Sequence, residues 1–149
     1  MLSNMADLVT DYRLLIAEVY ELAGLSRRIS EREAAENGTT VARWHILSVV
    51  SEEPLTVPAI GRRLGLVRQA VQRVADDLVE AGQLRVEPNP AHRRSMLYAI
   101  TPEGVRVLER LWAASEPRRL DTLAGSGVTA EDLRHARTTL RHLIDALTH

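Results

Sequence analysis

A chain of 149 residues with a formal net charge of −1 has room for one well-packed domain, and it contains no cysteine, no lysine and no phenylalanine. Without cysteine there are no disulfides, no thiolate metal ligands and no peroxide sensing through a sulfenic acid. No run approaches a membrane span and no basic-then-apolar signal segment opens the chain, so a soluble cytoplasmic protein is expected, with no membrane partner.

The charge is unevenly distributed. Residues 1–54 carry 5 Arg against 9 acidic residues, residues 55–99 carry 7 against 4, and residues 100–149 carry 7 against 7. All 19 basic side chains are arginine. A G+C-rich coding bias accounts for that as readily as function does, although arginine also suits rigid bidentate phosphate contacts. The positive balance falls on the middle third, the distribution that phosphate binding needs.

From about Ala6 to Glu36, Leu8, Tyr12, Leu15, Val19, Leu22 and Ile29 recur at steps of three and four with Ser26 in register, which predicts one long helix with an apolar stripe. The stripe is longer than one small core requires, so a partner helix is expected. Asn37-Gly38 stops it. Thr39 or Thr40 caps a second helix that carries Val41, Trp44, Ile46, Leu47 and Val50 inward and closes at Glu52-Glu53-Pro54. Trp44 is foremost a core anchor, and His45 beside it an ordinary residue.

Thr56 is the expected cap of a short helix with Pro58 in its first turn, Ile60 and Leu64 inward, and Arg62 and Arg63 outward. Gly65 marks the turn, and a longer helix follows with Val71, Val74, Ala75 and Leu78 on its buried face until Ala81-Gly82. Leu84 to Val86 and Met96 to Ile100 read as two strands joined by a loop that Pro88 and Pro90 keep irregular, its tip the basic run Ala91-His92-Arg93-Arg94-Ser95. That order is a helix-turn-helix followed by a wing.

Thr101-Pro102-Glu103-Gly104 starts a further helix with Val105, Leu108, Leu111 and Trp112 on its apolar face, loosened or kinked at Glu116-Pro117. A link around Gly125–Gly127 leads to Thr129 and Asp132, a capping arrangement, and to a last helix carrying Leu133, Ala136, Leu140, Leu143 and Leu147. A lone helix at a chain end frays, so this stripe needs a partner, and the first and last helices of two chains sharing one interface is the simplest arrangement. The expected fold is mainly α with a small β-hairpin wing, a winged helix-turn-helix framed by long N- and C-terminal dimerisation helices. Residues 37–102 form the DNA-binding part, and 1–36 with 103–149 the dimerisation region of one integrated domain.

Arginine grips guanine O6 and N7, and glutamine grips adenine N6 and N7. Gln69, Gln72 and Arg73 are therefore the base-edge candidates and Arg68 a phosphate contact. Arg93 or Arg94 suits a minor groove, with Ser95 beside them, and Arg62 and Arg63 serve the backbone or remain surface charges. No nucleophile motif or phosphate loop points to an enzyme. The histidines, His45, His92, His135, His142 and His149, are too scattered for a metal site, although His135 and His142 share a helix. A dimeric adaptor that binds a protein instead of DNA is the alternative.

The strings LGLVRQAVQRVADDLVEAGQL and NPAHRRSMLYAITPEG, with TVARWHILSVV before them and long helices outside them, resemble the MarR family of winged-helix regulators over nearly the whole chain. The resemblance implies a homodimer on a pseudo-palindromic operator in double-stranded DNA, acting as a repressor. It also implies release by a small aromatic or phenolic effector in a cleft between dimer region and winged domain, with no other cofactor. Tyr12, Trp44, His45 and Trp112 are the residues such a cleft would use. The reading helix would be Val67 to Ala81 and the wing Leu84 to Ile100. Two departures stand out: Val67 replaces the Ser or Thr that commonly opens the reading helix, and His92 stands where an Asp often braces the wing arginine, here Arg94.

Overall fold

The computed structural model describes residues 2–148, with side chains from Asn4 onward, so His149 lies outside the described residues. In chain order the elements are α1 (Leu2–Glu36), α2 (Val41–Glu52), α3 (Val57–Leu64), α4 (Arg68–Glu80), β1 (Leu84–Glu87), β2 (Leu97–Ile100), α5 (Pro102–Ser126) and α6 (Ala130–Thr148). The mainly helical fold with one hairpin wing is the expected one.

Local chemistry sets most of these boundaries. Gly38 ends α1 in the left-handed region at φ 71°. Of the two threonines that follow, Thr40 is the cap of α2, its hydroxyl accepting from the Arg43 amide at 3.3 Å. Thr56 does the same for α3 through the Ala59 amide, and Gly65 closes that helix at φ 66°. Thr101 caps α5 by accepting from the Gly104 amide at 3.1 Å. Gly104 has to be glycine, because a Cβ there would run into the Gln83 carbonyl oxygen.

The chain divides into two compact units, one up to Trp112 and one from Ala113 onward. The first closes around Trp44, Ile46, Leu47 and Val50 of α2, Ile60 of α3, Val71, Ala75 and Leu78 of α4, and Leu84 and Tyr98 of the hairpin. Ala34 of α1 and Leu108 and Leu111 of α5 complete the core. Each large apolar side chain buried here stabilises the fold by about 1.5–3 kcal/mol. The hairpin is antiparallel, with Leu84 opposite Ile100 and Glu87 opposite Leu97, so pairing begins one residue after the expected Met96. Leu55 adds a bridge to Tyr98, its amide donating to the Tyr98 carbonyl at 3.1 Å and its carbonyl accepting from the Tyr98 amide at 2.8 Å. The sequence offered no sign of that third rung, which ties the wing to the start of α3.

In the second unit α5 continues through Pro117, the expected point of loosening, and runs on to Ser126. Proline removes the bond to the Ala113 carbonyl, yet Ala113, Ala114, Arg118, Arg119 and Leu120 around it are strong helix formers and carry the helix across. Gly127, at φ 73°, ends it. At the start of α6, Thr129 and Asp132 form the reciprocal arrangement expected: the Thr129 amide donates to Asp132 Oδ2 at 2.9 Å and the Asp132 amide to Thr129 Oγ1 at 3.1 Å. None of the described residues of α6 is buried.

Candidate nucleic-acid interface

The helix that would read DNA starts at a weak point. Val67 occupies the N-cap position of α4 without a side-chain bond to the first turn, as its lack of a hydroxyl dictates. Its helix buries Val71, Ala75 and Leu78 and leaves Arg68, Gln69, Gln72 and Arg73 exposed. The 3.6-residue period puts the short polar run on the face away from the core.

The tip of the wing is shaped by its own backbone. Asn89 Oδ1 accepts from the Ala91 amide at 3.1 Å, and the Ser95 amide donates to the His92 carbonyl at 3.2 Å. The second bond closes a four-residue turn with Arg93 and Arg94 at its two central positions, where both side chains project. A carboxylate brace is absent at His92, and the turn supplies the local order at the tip.

Thr56, Arg68, Gln72, Arg94, Ser95 and Tyr98 line one cleft of about 440 Å³ between the start of α3, the first turns of α4 and the wing. Four residues named from sequence thus converge there, from two elements that lie more than twenty residues apart. Arg62 and Arg68 border an adjoining cleft beside Gly65 and Val67. Gln69, Arg73 and Arg93 are exposed on the same helix and loop.

Pairing separates the arginines. Arg27, Arg43, Arg63, Arg85 and Arg106 are held by carboxylates, Arg63 by Glu52 at 3.2 Å. Among the described residues Arg62, Arg68, Arg73, Arg93 and Arg94 have no acidic partner within 4.0 Å. Their charge is therefore uncompensated locally, the condition for attracting phosphate. Arg63 differs from these in having Glu52 beside it at the surface.

Gln72 is tied to the wing. Its Nε2 donates to Asp76 Oδ1 at 2.9 Å and to the Tyr98 hydroxyl at 2.8 Å, and that hydroxyl donates to Asp76 Oδ1 at 3.2 Å. Burial pushes the Tyr98 phenol above its ordinary value, the Gln72 hydrogen bond opposes this, and the Asp76 charge adds to the rise. Tyr98 therefore stays protonated at neutral pH. Sequence reasoning missed both Asp76 and Tyr98. The four-residue spacing of Gln72 and Asp76 was the available sign for the first; nothing marked the second.

The aromatic candidates for an effector cleft are placed differently from one another. Trp44 is in the core, His45 is half-buried, and Tyr12 and Trp112 are exposed. Among the described residues no three His, Asp or Glu side chains gather as a metal set.

The sequence profile of the MarR family matches residues 37–95, the span from the end of α1 to the wing tip. The chain belongs to the MarR family. An uncharacterized protein of Mycobacterium tuberculosis is 46% identical over 133 residues, 89% of this chain and 92% of that one. The fold is similar to the transcriptional regulator BldR from Sulfolobus solfataricus, with a TM-score of 0.77 at 19% identity over 90% of this chain and 97% of that chain. It is also similar to CouR from Rhodococcus jostii RHA1 bound to p-coumaroyl-CoA, with a TM-score of 0.69 at 20% identity over 84% and 87% of the two chains. As a MarR-family chain this is a winged helix-turn-helix, double-stranded DNA-binding transcription regulator and not an enzyme. Among the described residues no helix is long and apolar enough to cross a membrane.

Proposed function

We propose that this MarR-family regulator is a homodimeric repressor that holds two copies of α4 against successive major-groove faces of a pseudo-palindromic operator. Residues 37–102 carry the DNA contacts, and 1–36 with 103–149 make the dimer, with Leu108 and Leu111 shared because they belong to the core of the first unit. In this reading Gln69, Gln72 and Arg73 meet base edges, Arg62 and Arg68 meet phosphate, and Arg93, Arg94 and Ser95 follow the minor groove. The observation that carries the proposal is that, within residues 37–102, the five arginines without a carboxylate partner all lie on α3, α4 and the wing tip, while Arg43, Arg63 and Arg85 are paired.

Dimerisation is supported by apolar side chains that the chain leaves uncovered. On α6, Leu133, Ile144 and Leu147 are exposed, and on α1, Leu8, Leu14, Tyr20 and Leu22. Two-fold pairing places two reading helices about one helical turn of DNA apart. A small aromatic or phenolic effector that releases the operator is part of the proposal, and CouR, similar in fold, is bound to p-coumaroyl-CoA. Tyr12, Trp44, His45 and Trp112 remain the residues proposed to respond to it.

Selection of genomic DNA fragments by the purified protein at two salt concentrations tests this. The expected result is a two-fold symmetric motif whose affinity falls steeply with salt, by about 0.9 in the logarithmic slope for each phosphate neutralised. No enrichment, or enrichment indifferent to salt, would replace the repressor with a winged-helix adaptor that binds a protein.

A further inference from the structure

The contacts among Gln72, Asp76 and Tyr98 restrict what Gln72 can offer a base. A carboxylate only accepts hydrogen bonds, so the end of the Gln72 amide that meets Asp76 Oδ1 must be its NH2. Tyr98 has one hydroxyl hydrogen, and it goes to the same carboxylate oxygen. Toward Gln72 the phenol oxygen therefore accepts, again from Nε2. All three contacts are satisfied together by this assignment, and the reversed amide would set its carbonyl oxygen against a carboxylate.

The amide nitrogen is thus committed within the protein, and Oε1 is left to meet a ligand. A freely turning glutamine pairs with adenine in two bonds, one donated to N7 and one accepted from the N6 amine. Here the donated bond requires Nε2 to abandon a charged acceptor and a phenol that is itself held in place by the core and by the Leu55 bridge.

We infer that Tyr98 and Asp76 lock Gln72 as a hydrogen-bond acceptor, so that α4 selects, at one position of each half-site, a base whose major-groove edge presents an amino group. Cytosine N4 and adenine N6 qualify; guanine and thymine present only acceptors there and meet Oε1 repulsively. Tyr98 and Asp76 are then positioning residues: a wing strand sets the specificity of the reading helix without touching DNA. The inference rests on the DNA-binding reading above.

The test uses an operator selected by the parent protein and measures affinity for all four base pairs at every position, at one salt concentration. The parent is expected to show a symmetric position where cytosine or adenine is preferred to guanine or thymine by about tenfold, within the range of a base-edge contact. Gln72→Ala should erase that preference and no other. Tyr98→Phe keeps the buried ring, and Asp76→Ala changes only an exposed side chain; each releases one of the two Gln72 N–H groups, which is what a bond to adenine N7 needs, and should narrow the position to adenine, with affinity for random-sequence DNA altered less than twofold. A Gln72→Ala profile identical to the parent's overturns the inference, as do Tyr98→Phe and Asp76→Ala profiles that still accept cytosine and adenine alike. A parent protein that selects no operator overturns the DNA-binding reading and takes this inference with it.

Discussion

The winged helix and the last helix handle apolar residues in opposite ways. In the winged helix, Ile46, Leu47, Ile60, Leu78 and Leu84 are sealed from water by side chains of the same chain. On α6 none of the described residues is buried, and Leu133, Ile144 and Leu147 remain open to solvent. Single exposed apolar residues are ordinary. A helix that repeats them at helical spacing and fully buries none is not, because each exposed one forgoes about 1.5–3 kcal/mol that burial would supply. The first part therefore specifies its own fold, and the last helix leaves apolar side chains that the proposed dimer would cover.

The largest effect expected from this contrast is on the closed side. Ile60→Ala empties space in the centre of the α2–α3–α4 core and should lower unfolding free energy by about 2–5 kcal/mol, read by chemical denaturation. A loss below ~1 kcal/mol would mean the core is less well packed than its burial indicates.

The second largest is on the open side. Leu143→Asp with Leu147→Asp puts two charges on the α6 stripe, where a lone chain has little to lose because neither residue is buried. Sedimentation velocity should show single chains where the parent sediments as a dimer, and operator affinity should fall by more than about a hundredfold as two linked half-site contacts become one. The far-ultraviolet dichroism should change little. A dimer that survives both substitutions would break the contrast, since α6 would then be exposed for some other reason.

Much of this architecture was legible because its causes are local. The caps at Thr56, Thr101 and Thr129 and the stops at Gly38 and Gly65 follow from a hydroxyl three residues before an amide or from a glycine at positive φ. The buried face of α4 follows from its period. Features built by distant residues left no such trace. The Leu55–Tyr98 bridge and the Gln72–Tyr98 bond join the wing to segments far away in sequence, the second across 26 positions. The residue types at the site were readable, but their pairing was not: Arg63 resembles Arg62 in sequence, and only the fold brings it to Glu52, 11 positions away. On α1, Val9, Leu14, Tyr20 and Leu25 are exposed apolar residues outside the expected stripe. Apolar residues on several faces are what a helix wrapped by a partner requires.

A smaller effect sharpens the account of the closed part. Its first two capped helices begin with a threonine hydroxyl, whereas α4 begins at Val67 with none. Val67→Ser supplies the missing acceptor at an exposed position and should raise stability by about 0.5–1 kcal/mol, seen as a higher denaturant midpoint at unchanged slope. No gain would show that the first turn of α4 is already satisfied by other means.

The smallest effect separates the two parts by pH. The caps of α2 and α3 use neutral threonine hydroxyls on the Arg43 and Ala59 amides, so nothing in them titrates. The cap of α6 includes a carboxylate, and the hydrogen bond from the Thr129 backbone amide, followed by that of its side chain, holds Asp132 below the ordinary aspartate value. A depressed folded-state value means that the folded state gains from the ionised form. That gain is complete above the unfolded value of about 3.9 and is lost as pH falls through the lower folded value. Asp132 is fully exposed, so the loss should be slight and confined to the first turn of α6. Carbon-13 titration of the Asp132 carboxyl should give a midpoint below that of an unstructured aspartate, and Thr129→Ala, which keeps the backbone amide and removes only the side-chain bond, should return it part of the way. Below pH 4 the amides of the first α6 turn should exchange faster, while those of α2 and α3 keep their protection. Equal acid sensitivity at all three helix starts would place the cause in a charge shared by the whole chain and not in this cap.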